Sequence, residues 1–102
     1  MLRHCVFLRF RSEIDAAQKA ALYADLAALE SVVPGFLGMS AGPNVSPEGK
    51  DQGFADGFVM DFADAAARDA YLVHPDHKAA GARLTAALDG GSAGLVVFDM
   101  EV

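Results

Sequence analysis

Tyr71-Leu72-Val73-His74-Pro75-Asp76-His77 sets a phenol and two imidazoles within seven residues, on either side of a proline. Proline has no amide hydrogen, and the ring of Pro75 would crowd the carbonyl of Tyr71 in a continuous helix. The helix therefore breaks near His74, and Pro75 opens a new turn containing Asp76 and His77. Upstream, Asp64 or Asp61 starts a helical segment through Ala65, Ala66, Ala67, Arg68, Ala70 and Tyr71. Downstream, helix continues through Ala79, Ala80, Ala82, Leu84 and Leu88, and Asp89-Gly90-Gly91-Ser92 ends it. This whole helical region is bracketed by strands, and that arrangement sets the fold.

The strand before it is strong. Phe54, Asp56, Phe58, Met60 and Phe62 share one face, and Ala55, Gly57, Val59 and Asp61 the other. The strand after it is Leu95-Val96-Val97-Phe98-Asp99-Met100. At the N-terminus, His4, Val6, Leu8 and Phe10 alternate with Cys5, Phe7 and Arg9, a strand covered on both sides. Ser12 or Asp15 caps a first helix whose Leu22, Leu26, Leu29 and Val33 form one apolar stripe. Pro34-Gly35 stops it, and a weaker strand follows from Phe36 to Ala41.

The order is β-α-β-β-α-β, which predicts an α+β fold, a ferredoxin-like sandwich with an antiparallel sheet, as one domain over residues 1–102. Two helices cover one face of such a sheet. Phe7, Val59 and Val97 leave the second face apolar, and a second copy of the same sheet is its simplest cover. The pattern predicts a homodimer.

Composition narrows the function classes. Hydrophobic residues make up 53% of the 102, with mean hydropathy +0.25, more apolar surface than a small monomer hides easily. The formal net charge is −6, and the basic residues do not cluster except at Arg3, Arg9 and Arg11, so nucleic acid is not expected as a partner. No apolar run approaches the roughly 20 residues that span a bilayer, and Met1-Leu2-Arg3-His4 reads as strand rather than signal peptide. The single Cys5 forms no internal disulfide and suits a reducing, cytoplasmic setting. The Phe54, Phe58, Met60, Phe62 stripe is core. Gly90 to Gly94 lies after a helix and before a strand, the wrong order for a phosphate loop. Pro43 through Asp51 is a candidate flap over a pocket mouth, or a solvated connection.

With these residues in place, the chain resembles the stress-responsive dimeric α/β-barrel domain family across essentially its whole length. The resemblance rests on His4, Val32-Val33-Pro34-Gly35, Gly42-Pro43-Asn44-Val45-Ser46 and Asp61-Phe62-Ala63-Asp64. It rests above all on the Tyr71 to His77 string, and it closes on Val97-Phe98-Asp99. It implies a subunit whose sheet faces a partner's sheet to make a two-subunit barrel. The family includes plant stress-induced proteins and a plant cyclase that closes a linear polyketide by aldol condensation without a cofactor. That cyclase's catalytic tyrosine and histidine fall on Tyr71 and His77, and a further histidine falls on His4.

The resemblance makes Tyr71 and His77 the candidate catalytic pair, with His4 and His74 as candidate substrate-binding residues and an apolar, polyketide-like ligand. A neutral imidazole takes a proton flanked by carbonyls, and a phenol donates to the developing oxyanion. A structural reading stands beside this one. His77 then bonds the loop after Pro75, Tyr71 packs on the first strand, and His74 caps a helix. The protein is then an interaction module. His74 and His77, three apart, with His4 as a third nitrogen, are the one arrangement that brings a metal to mind. Pro75 breaks the helix that would align them and no Cys or Glu motif completes a ligand set, so neither metal nor cofactor is expected.

Overall fold

Gly35 is the hinge on which the first half of the chain turns. Its φ of 86° lies in the left-handed region, and a Cβ built there would sit 2.7 Å from the Cβ of Ala67. In the computed structural model, which describes residues 1–102, this glycine joins the end of the first helix to the second strand. The first helix, α1 (Ala16–Ala27), is capped by Asp15, whose carboxylate accepts from the Gln18 amide while the Gln18 side chain accepts from the Asp15 amide. A 3-10 turn, Ala28–Ser31, tightens its end before Pro34.

Four strands form one antiparallel sheet in the order β2-β3-β1-β4: β1 (Leu2–Leu8), β2 (Phe36–Pro43), β3 (Asp56–Phe62) and β4 (Leu95–Glu101). This is the ferredoxin-like α+β order expected from the sequence. The helical region after β3 is two helices, α2 (Ala65–Val73) and α3 (Pro75–Ala86), divided at His74 as Pro75 requires.

Three strand limits differ from expectation. β1 stops at Leu8, and Phe10 makes only an isolated bridge to Leu88, because the backbone turns away toward α1. β3 begins at Asp56 rather than Phe54, since Gln52 and Gly53 adopt φ of 57° and 87° and the chain is still turning there. β2 runs on to Pro43, which pairs with Asp56 at the end of an edge strand, where its missing amide costs no ladder bond.

Register assigns the faces. Leu2, His4, Val6 and Leu8 pair with Phe62, Met60, Phe58 and Asp56 and point toward the helices. There they join Leu26, Leu29, Val33, Tyr71 and Leu84 in the buried core. Arg3, Cys5 and Phe7 pair with Asp61, Val59 and Gly57 and point to the opposite, open face. On β4 it is Val96, Phe98 and Met100 that share this open face, paired with Phe7, Cys5 and Arg3. Val97 pairs with Val6 and so lies on the helix side, against the expectation that it joins Phe7 and Val59. It stays exposed because the helices pack over β1, β2 and β3 and leave the β4 edge uncovered.

Candidate functional site

Asp64 holds the start of α2 against β3, its carboxylate accepting from the Ala67 amide at 2.9 Å. About two turns later this places Tyr71, 1% exposed, between Phe36 and Phe62 of the sheet, with ring centroids 5.8 and 5.2 Å away. The break at His74 then swings α3 so that His77 comes back onto the same phenol. The two ring centroids are 4.3 Å apart with 51° between planes. His4 approaches Tyr71 from β1, its centroid 6.0 Å away and edge-on. One phenol thus has two imidazoles beside it, each from a different element.

Both imidazoles are held by Nδ1. His77 donates from Nδ1 to the carbonyl of Leu72 at 3.1 Å, which assigns the proton to Nδ1 and leaves Nε2 as the basic nitrogen. Burial holds His77 below the ordinary histidine range, His4 adds to this, and the Leu72 hydrogen bond only partly opposes it. His77 is therefore neutral near pH 7. A Cβ built at Gly81, one turn further along α3, would have His77 Nε2 at 4.0 Å as its only neighbour. That glycine keeps space beside the nitrogen.

His4 Nδ1 lies 2.6 Å from Asp99 Oδ1 on β4, and Asp99 Oδ2 accepts from Arg68 of α2 at 2.8 Å. Burial alone would raise the Asp99 carboxyl, but the hydrogen bonds from Arg68 and His4 outweigh it and hold the group below the usual carboxylate range. An ionised Asp99 requires a proton on His4 Nδ1, so His4 is oriented with Nε2 as its remaining nitrogen. Burial pushes the Tyr71 phenol well above its ordinary pKa, so it stays a hydrogen-bond donor throughout the neutral range.

Three of the four residues singled out from sequence, His4, Tyr71 and His77, are brought together. His74 is not part of that cluster. Its Nδ1 accepts from the Asp76 amide at 3.0 Å and caps α3. Asp99, Arg68 and Gly81 were missed. Their signals were present but faint: a lone carboxylate on the inward side of an apolar strand, an arginine in an Ala-rich helix, and a glycine in a helix interior.

A cavity of about 720 Å³ lies elsewhere. It lies on the open sheet face, floored by Phe7, Gly42, Gly57 and Val96 and roofed by the loop from Asn44 to Gln52. That loop is braced from within: Asp51 accepts from the Asn44 side chain at 3.1 Å and from the Gly53 amide at 2.9 Å, and Asn44 accepts from the Ser46 amide at 3.0 Å. The expected flap thus roofs a cavity, on the side of the sheet away from Tyr71. No group of three or more His, Cys, Asp or Glu side chains is gathered anywhere. No helix is long and apolar enough to cross a membrane.

Residues 2–102 match the family model of the Stress responsive A/B Barrel Domain, and the chain belongs to that family. It is 25% identical over 76 residues to olivetolic acid cyclase of Cannabis sativa, covering 74% of this chain and 75% of that protein. A dimeric ferredoxin-like protein of unknown function from Jannaschia sp. CCS1 superposes with a TM-score of 0.90 at 38% identity, over 99% of this chain and 98% of that one. Hydroxynitrile lyase from Passiflora edulis superposes with a TM-score of 0.84 at 21% identity, over 99% and 92% of the two chains, a likeness of fold.

Proposed function

We propose that this chain acts as a homodimer that binds an apolar, polyketide-like small molecule beside Tyr71 and His77 and moves a proton α to a carbonyl without a cofactor. The observation that carries this is the arrangement of nitrogens. Each histidine has Nδ1 tied off, His77 by Leu72 and His4 by Asp99, which leaves Nε2 free on both, and both rings lie next to one phenol that stays protonated. Packing alone gives no reason to fix two imidazoles in this way around a third polar group.

The chemistry follows from those atoms. His77 Nε2 takes a proton from the carbon between two carbonyls, and the C–H electron pair moves onto the enolate oxygen. The Tyr71 hydroxyl donates to that oxygen. In a cyclisation the enolate carbon attacks a second carbonyl of the same ligand, and the alkoxide formed takes the proton back from His77. His4, oriented through Asp99 and Arg68, positions Tyr71 or the ligand oxygen. His74 acts at one remove, by setting the start of α3 and hence the approach of His77. The likeness to olivetolic acid cyclase supports cyclase-type chemistry for this chain. A free thiol at Cys5 fits a cytoplasmic setting.

The second reading is a non-enzymatic stress or interaction module with structural histidines, and the tight packing of Tyr71 among Phe36 and Phe62 is what favours it. Titration of the labelled protein with a long-chain β-keto ester, followed by NMR, separates the two. Binding at the site shifts Tyr71, His77 and Gly81 together. Shifts confined to the open-face cavity, or none, overturn the proposed site.

A further inference from the structure

Aspartate precedes glycine at two places in the chain, Asp56-Gly57 and Asp89-Gly90. Such a pair is able to close on itself, because glycine carries no side chain to shield its amide nitrogen. The nitrogen attacks the aspartate Cγ, a C–N bond forms, and the carboxyl oxygen leaves as water. Water then adds back to the cyclic imide. Cleavage between the nitrogen and the α-carbonyl carbon leaves the chain running through Cβ and Cγ, as isoaspartate. Cleavage at the other carbonyl restores aspartate. No atom is gained or lost over the cycle, and no co-reactant but water is needed.

We propose that Asp89-Gly90 is a site of self-modification to isoaspartate in the folded protein, and that the fold protects Asp56-Gly57 from the same reaction. The carboxylates differ first. The Asp89 side chain is 66% exposed, and its 3.4 Å approach to Arg9 Nε makes no hydrogen bond, so it is free to turn onto Gly90. Asp56 is 10% exposed and accepts from Lys19 Nζ at 3.0 Å. The amides differ next. That of Gly90 donates to no acceptor in the protein, whereas Gly57 lies inside β3, paired with Phe7 and Gly42. The room to move differs as well. Gly90 lies in the turn between α3 and β4, so closing the ring at Asp89 moves only that turn. A Cβ built at Gly57 would lie 2.9 Å from the Val6 carbonyl oxygen, so a ring at Asp56 requires β3 to leave the sheet.

The modification has a structural consequence because Asp89 belongs to a clamp. Its amide donates to the Arg9 carbonyl at 2.8 Å, and the Arg9 amide donates to the Gly94 carbonyl at 2.9 Å. Arg9 Nη2 also donates to the Ala93 carbonyl at 3.3 Å. A Cβ built at Gly94 would lie 2.7 Å from the Asp89 carbonyl oxygen, so the two backbones pack directly. Isoaspartate lengthens the main chain by one carbon there and turns that carbonyl into a free carboxylate. The segment that feeds β4 then loses its seat against the end of β1.

The test ages the unmodified chain in warm buffer below its melting temperature, beside a portion unfolded in urea. Peptide mapping with electron-transfer fragmentation separates isoaspartyl from aspartyl backbones and reads both sites in one digest. The proposal expects isoaspartate at Asp89 to run at least ~10-fold ahead of Asp56 in the folded protein, and the two sites to agree within ~3-fold in urea. Equal conversion at both sites of the folded protein overturns it. So does an Asp89 that converts in urea and not in the fold. The aged protein should melt at least ~4 °C lower. Asp89→Glu keeps the charge near Arg9 but closes its larger ring far more slowly, and should hold its melting temperature over the same period. An unchanged melting temperature in the converted protein, or an equal fall in Asp89→Glu, overturns the clamp.

Discussion

His77 lies against Tyr71 with ring centroids 4.3 Å apart although the two residues belong to different helices. The contact exists because Pro75 ends α2 and His74 redirects the chain. In an unbroken helix, residues six positions apart point away from each other. The proline therefore makes the pair, and in the proposed function the pair sets a base next to a donor.

Tyr71 separates packing from chemistry. Tyr71→Phe keeps the ring between Phe36 and Phe62, so stability should change by no more than ~1 kcal/mol. Loss of the donor should slow a proton-transfer reaction ~100-fold. Tyr71→Ala should cost ~3–5 kcal/mol, because it empties the middle of the core. Thermal unfolding beside an activity assay checks both variants.

The pH dependence of His77 has a definite sign. Its folded pKa is lowered, chiefly by burial, so below about pH 6.5 the unfolded chain takes up a proton that the folded chain resists. Stability is fully present above that pH and falls as pH drops through the folded value. His77→Gln should flatten this part of the profile of melting temperature against pH. The acid limb of a base-catalysed rate should lie below the usual histidine range for the same reason.

Asp99 ties three elements together through His4 and Arg68. Asp99→Asn keeps the shape and removes the charge, and should cost ~1–3 kcal/mol. It should also weaken the preference of His4 for a proton on Nδ1, which ¹⁵N shifts of the ring report. The Asp99 contribution belongs to a lowered carboxyl, so it is present above about pH 4 and lost as pH falls through the folded value.

Gly81 should show stability and function moving in opposite directions. Glycine inside a helix is ~1 kcal/mol worse than alanine, and an added Cβ meets only His77 Nε2 at 4.0 Å. Gly81→Ala should therefore raise the melting temperature with little effect on ligand binding. Gly81→Leu fills the space beside the nitrogen and should weaken binding at least ~10-fold. Unfolding curves and ligand titrations of the two variants check this.

Much of this was legible in the chain because it is local chemistry. Pro75 announces the helix break, Asp15 and Asp64 announce caps, and alternation along Phe58, Met60 and Phe62 gives the inward face of β3. What stayed hidden depends on register between distant segments. His4 and Asp99 lie at opposite ends of the chain, and only the antiparallel pairing of β1 with β4 places them side by side. Val97 was put on the wrong face because an apolar run on an edge strand carries no alternation to read.

The most direct measurement of the central claim is exchange of α protons for deuterium in a long-chain β-keto ester, followed by NMR at pH 7 with and without the protein. The account predicts exchange above the buffer rate, lost in His77→Ala while that variant's melting temperature stays close to the original. Exchange at the buffer rate, or acceleration unchanged in His77→Ala, would contradict it.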